Sequence, residues 1–186
     1  MKSIYIANLA AILTMLLTHS TVASVYTIGH SYVDWFNAPL GPRIVLLLLF
    51  GYWVFPGLFL GTVLSYLIFD VLSLNQGFTI DLTLNFVDCI APVVALYIMH
   101  VFRIAAFFTH EKIVYSHAIF YCILSSFIIA FSRLILVSNQ GVVNSIQCFD
   151  YLASNLMGAL TGSLSMLFLA GVVAYAFRNK MINYNS

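Results

Sequence analysis

The stretch from Pro39 to Asp70, PLGPRIVLLLLFGYWVFPGLFLGTVLSYLIFD, constrains this chain more than any other. Two apolar runs meet at Gly51-Tyr52-Trp53-Val54-Phe55-Pro56, and Arg43 is the single basic residue inside them. A bilayer core of about 30 Å takes roughly 20 helical residues, so the stretch is too long for one span. It predicts two helices joined by a tight turn, a transmembrane hairpin. Pro39 and Pro42 stand where the first arm begins, the place where a missing N–H and a fixed φ are tolerated; inside a helix they would break it. That arm is expected to be short or broken.

The remainder of the chain needs lipid as well. Of its 186 residues 62% are hydrophobic and 7% charged, whereas soluble domains carry about 25% charged residues. No polar stretch has room for a water-soluble domain of about 50 residues, which argues against an attached kinase, cyclase or extracytoplasmic binding domain. A net charge of +1 gives no electrostatic case for nucleic acid. The expected fold class is all-α, a polytopic transmembrane helix bundle of about six spans forming one domain over residues 1–186.

The spans are read at residues 4–28, 41–53, 56–72, 82–102, 114–137 and 151–177. Residues 1–24 imitate a secretory signal, with Lys2, an apolar run and a small-residue site before Ser24, and are read as an uncleaved first span. Trp35 and Tyr32 in the following connector suit a membrane interface. With six spans, Lys2, the loop from Arg103 to Lys112 and the tail from Arg178 to Lys180 fall on one side, and the intervening loops lack Lys and Arg. Both termini are therefore expected in the cytoplasm, in a bacterial inner membrane.

Ionisable residues inside a bilayer are costly, and they pair or line a wet cavity. Arg43, Asp88 and Arg133 lie within apolar runs. Together with Trp35 they are the candidate lining of a pocket for a small anionic ligand; the competing reading is a set of structural ion pairs. Ala7 and Ala11 form a small-residue face that would let another helix approach closely, either inside this chain or from a docking partner. Arg103 and Lys112 are the other candidate docking residues. Gly57 and Gly61 make a GxxxG on the second arm of the hairpin, a further close-approach surface.

Cys89, Cys122 and Cys148 are isolated, with no CxxC spacing, and read as small buried hydrophobes. His100 and His117 flank the loop between the fourth and fifth spans, but nothing in the spacing fixes two imidazoles on one haem. No metal and no cofactor is expected. GxSxG, HExxH and P-loop patterns are absent, so no enzymatic activity is expected either.

Pro39 and Gly41, an aliphatic arm, Gly51, then Tyr52-Trp53-Val54-Phe55-Pro56-Gly57 and Gly61 resemble the pattern of the MASE-type membrane-associated sensor domains of bacteria. Asn155-Leu156-Met157-Gly158-Ala159-Leu160 is similar to that family's closing Gly-rich helix. The likeness covers about 50 residues. Members of the family usually have about eight spans and a cytoplasmic signalling domain, from which this chain departs. The resemblance implies sensing of a small ligand or of membrane state, passed to a separate membrane protein or a second copy through the basic loop or tail. The topology is equally similar to the substrate-binding subunits of energy-coupling-factor vitamin transporters, in which the alanine face would dock the transport partner. A third reading is an accessory subunit assembled into a larger membrane complex.

Overall fold

The computed structural model describes residues 2–26, 39–68, 78–104, 107–109, 112–139 and 148–184. Within them lie helices α1 (Lys2–Tyr26), α2 (Leu40–Phe50), α3 (Phe55–Ile68), α4 (Phe78–Val101), α5 (Tyr115–Asn139) and α6 (Cys148–Tyr184). A 3-10 turn at Gly51–Val54 joins α2 to α3, and strands β1 (Phe108–Thr109) and β2 (Lys112–Ile113) pair antiparallel between α4 and α5. Five stretches are long and apolar enough to cross a bilayer: Ile4–Thr21, Leu40–Ile68, Leu82–Val101, Tyr115–Asn139 and Cys148–Val173. The chain is a polytopic membrane protein built on helices.

Six spans were expected, and the difference lies in Leu40–Ile68. Helix α2 has 11 residues and α3 has 14, or about 16 and 21 Å at 1.5 Å per residue, so neither arm reaches alone across a core of about 30 Å. Nor do they form one rod. Arg43 Nη2 lies 3.3 Å from Thr62 Oγ1, 19 residues on; a continuous helix would hold such residues about 28 Å apart. The chain doubles back at Gly51–Val54. Gly51 has φ 68°, on the left-handed side that glycine reaches without steric cost, and Pro56 has no N–H with which to carry α2's hydrogen-bond ladder onward.

Helix α1 runs parallel to α3, as its pairings show: Asn8 against Gly57, Ile12 against Gly61, and His19 against Tyr66. The two glycines are what let the backbones meet. A Cβ on Gly61 would stand 2.8 Å from Ile12 Cα, and one on Gly57 2.7 Å from Asn8 Cα. Ala7, 3% exposed, and Ala11, fully buried, pack in one cluster with Met15, Leu47, Val54 and Leu58. The small-residue face of α1, a candidate surface for a separate partner, is thus filled by the hairpin of the same chain. Alanine spacing fixes how closely a helix can be approached but not which helix approaches.

Helix α2 is the centre of the bundle. Leu40 and Ile44 join the core built by α4, α5 and α6, while Leu46 and Leu47 join the core built by α1 and α3. Its first turn, residues 40–43, is buried, pressed on α6 so closely that a Cβ on Gly41 would stand 2.6 Å from the carbonyl oxygen of Gly162. Helices α4, α5 and α6 follow as antiparallel neighbours. Tyr121 of α5 donates to the carbonyl of Pro92 in α4 at 2.9 Å, and Gly171 of α6 faces the Tyr115 hydroxyl. Helix α4 ends in a Schellman arrangement: Ile104 N–H bonds to Met99 O at 2.9 Å, Arg103 N–H bonds to His100 O at 3.0 Å, and Arg103 takes φ 57°.

Candidate functional site

Three charges expected to meet are brought together by three different helices. Arg43 comes from the first turn of α2, Asp88 from the middle of α4 and Arg133 from the later half of α5. Arg133 and Asp88 form a bidentate pair: Nε donates to Oδ1 at 2.8 Å and Nη2 donates to Oδ2. This fork-to-carboxylate geometry is the strong form of an ion pair. Arg133 Nη1 donates to Asn155 Oδ1 on α6 at 3.1 Å, and Asn155 Nδ2 in turn donates to the carbonyl of Tyr151 at 2.9 Å. Each nitrogen of the Arg133 guanidinium thus makes one hydrogen bond, and together these tether α4, α5 and α6.

Arg43 is placed differently. Its Nη1 lies 3.5 Å from Asp88 Oδ2, close enough for attraction but without a hydrogen bond. Nη2 donates to Thr62 Oγ1, whose own proton goes to the carbonyl of Leu58 at 2.8 Å. Nε and Nη1 are buried and have no acceptor among the described residues. The side chains of Arg43 and Asp88 are 1% and 4% exposed, against 23% for Arg133.

The hydrogen-bond ladder of helix α4 is locally interrupted one turn after Asp88. Residue 92, four positions on, is a proline, so the Asp88 carbonyl loses the N–H that would normally bond to it, and α4 is weakened at that turn. Asn85, one turn earlier on the same face, is buried and hydrogen-bonded to Tyr66 of α3. Tyr66 packs on the His19 ring with centroids 5.1 Å apart. His19 is buried, its Nε2 has no partner among the described residues, and it lies within electrostatic reach of Arg43 and Asp88. Cys89 sits beside the triad, its Sγ 3.7 Å from Thr62 Oγ1.

Sequence reasoning gave no site role to Thr62, Asn155, Asn85 or His19. For Asn85 a signal existed, three residues before Asp88 and so on its face of the helix. For Asn155 it was a lone amide in an apolar run. Trp35 lies outside the described residues. Arg103 is exposed at the end of α4, and Lys112 falls in β2; both are remote in sequence and element from the triad. Of the histidines weighed for haem, His100 is exposed and His117 half-buried. Among the described residues no three metal-ligating side chains converge.

What these features define is a polytopic membrane protein with an ion-paired polar centre where its helices meet. Comparison with known protein families, with curated proteins and with solved structures gave no match.

Proposed function

We propose that this protein is a ligand-binding membrane domain, without enzymatic activity of its own, that takes a small anionic molecule at the Arg43–Asp88–Arg133 centre and acts through a separate membrane partner. The observation that carries this reading is the charge count at a buried site. Among the described residues two guanidinium groups share one carboxylate, which leaves a positive charge over in a region where unpaired charge is expensive. A structural ion pair would need only one arginine.

The substrate-binding subunit of a small-molecule transporter is the second reading. Helix ends buried beside a polar centre are a recurrent way of building a transport site, and the buried start of α2, whose first turn carries Arg43, favours it. Both readings go with cytoplasmic termini in a bacterial plasma membrane, supported by the positions of Lys2, Arg103, Lys112, Arg178 and Lys180.

One purification from native membranes in mild detergent tests them, with proteins and extracted small molecules both identified by mass spectrometry. A bound small anion that is lost from Arg43→Gln supports the ligand site. A co-purifying ATPase favours transport, and a kinase or cyclase favours sensing. Stoichiometric recovery in a large complex with no bound molecule would replace both readings with that of an assembly subunit.

A further inference from the structure

The proposed ligand site leaves open what the ligand must carry, and the hydrogen-bond inventory of Arg43 addresses that. We infer that the site takes a singly charged oxyanion on the unpaired Nε and Nη1 groups of Arg43, with Arg133 holding Asp88 in place rather than touching the ligand. This rests on the reading of the triad as a ligand site.

Three independent features converge on it. Asp88 spends its short bidentate contact on Arg133, while Arg43 Nη1 stays 3.5 Å from Oδ2 and, with Nε, has no hydrogen-bond acceptor among the described residues. A buried guanidinium whose donors lack acceptors is costly, and a carboxylate or phosphate oxygen is its natural complement. Secondly, Arg43 stands in the first turn of α2, where the helix dipole is positive and a cation is unfavourable. That turn has no side-chain cap hydrogen bond from Pro39 and is buried, and the first N–H groups of a helix have no partner within the helix itself. An anion there would satisfy the dipole and the side chain together. Thirdly, His19 Nε2 is another buried polar atom without a partner among the described residues, within electrostatic reach of the same arginine. One negative charge balances the centre; two would overshoot it.

A carboxylate from solution and the phosphodiester of an anionic lipid headgroup share this chemistry, and the test separates them. Wild type, Arg43→Gln and Arg43→Lys are reconstituted in nanodiscs of phosphatidylcholine, and the thermal unfolding midpoint is followed by intrinsic fluorescence. Sodium hexanoate is the probe, with hexanol and hexylammonium chloride as neutral and cationic counterparts. Hexanoate alone should raise the wild-type midpoint, by about 5 °C at saturation. Arg43→Gln should abolish the rise. Arg43→Lys, which keeps the charge but not the fork, should weaken the apparent affinity about tenfold. In a second arm, nanodiscs containing phosphatidylglycerol should give the same Arg43-dependent rise without hexanoate if a lipid is the source.

An equal rise in Arg43→Gln, or a rise with hexanol or hexylammonium that matches hexanoate, overturns the inference. If hexanol or hexylammonium acts and its effect is lost in Asp88→Asn, the ligand site stands and only its anion chemistry falls. If none of the probes or lipids moves the wild-type midpoint, both fall. Arg43→Gln is expected to fold because the Arg133–Asp88 pair is untouched. Should it not fold, Arg43→Lys decides, and hexanoate affinity unchanged from wild type would refute a role for the fork.

Discussion

Asn8 is inserted into the hydrogen-bond ladder of its neighbouring helix at Gly57. Trp53 O and Gly57 N–H stand four residues apart and would ordinarily bond to each other. Here Asn8 Oδ1 accepts from Gly57 N–H at 2.6 Å and Asn8 Nδ2 donates to Trp53 O at 2.9 Å. The second Nδ2 proton goes to Ile4 O at 2.9 Å. One amide thus satisfies both backbone groups that the sharp turn sets free, and its donors and acceptor are all used. The hairpin can double back inside an apolar bundle because α1 supplies what water cannot.

Asn8→Leu should therefore destabilise the fold beyond its change in volume. It orphans the Gly57 N–H and the Trp53 carbonyl together, for a cost of about 1–3 kcal/mol. In a chain of this size that lowers the thermal midpoint in detergent by about 2–4 °C per kcal/mol. Asn8→Asp keeps the acceptor for Gly57 but sets a carboxylate oxygen against two carbonyls, and is expected to lose at least as much.

Gly61→Ala should loosen α1 from α3. The added methyl would meet Ile12 Cα at 2.8 Å and Met15 Cβ at 3.0 Å; neither is the far end of a flexible chain, so the helices must part. Overpacking of this kind costs about 1–3 kcal/mol. Leu60→Ala, on the exposed side of the same turn, is the control and should stay within about 0.5 kcal/mol of wild type in water-like bookkeeping of surface sites. Thermal unfolding of the two variants side by side measures the difference.

Much of this arrangement was legible because lipid leaves a chain few choices. The reversal at Gly51 follows from a run too long for one span and punctuated by glycine and proline. The meeting of Arg43, Asp88 and Arg133 follows from the cost of a lone charge in hydrocarbon. The contact at Gly57 and Gly61 follows from their size. What could not be read depends on how each helix is rotated and on its neighbours. The alanines of α1 turn to α3 because Asn8 fixes the register there. The first arm of the hairpin is short because α2 starts at Leu40, already buried in the bundle. The split between Arg133, bonded through each of its nitrogens, and Arg43, whose Nε and Nη1 have no acceptor among the described residues, is set by side-chain geometry that residue types do not encode.

Arg103→Gly should stabilise the protein. Arg103 occupies the left-handed position of the α4 Schellman ending with φ 57°, where a side chain costs about 1 kcal/mol and glycine is the common occupant. A rise of about 1 kcal/mol in unfolding free energy is expected. If Arg103 also anchors the loop on the cytoplasmic face, a carboxyl-terminal reporter fusion in the same variant should show partial loss of uniform orientation, a readout that relief of backbone strain would not produce.

The three charges of the centre should differ sharply in what their loss does, in an order that follows from counting. Asp88→Asn removes the one carboxylate that pairs with Arg43 and Arg133 among the described residues and leaves both guanidinium groups without it, so it should be the most damaging, by about 3–5 kcal/mol. Arg133→Gln leaves Asp88 with Arg43 at 3.5 Å: charge is balanced, but the bidentate pair and the link to Asn155 are gone, and an intermediate loss is expected. Arg43→Gln leaves the Arg133–Asp88 pair intact and removes the unbalanced cation, so in the absence of any anion it should change stability by no more than about 1 kcal/mol. The double variant Asp88→Asn/Arg133→Gln should lose less than the two single losses together, since both single changes break the same bidentate pair and the double change removes the Arg133 cation that Asp88→Asn alone leaves unpaired. Thermal unfolding of the four proteins in one uncharged detergent gives the order, and an Arg43→Gln loss equal to that of Asp88→Asn would mean that Arg43, not Arg133, is the partner on which Asp88 depends.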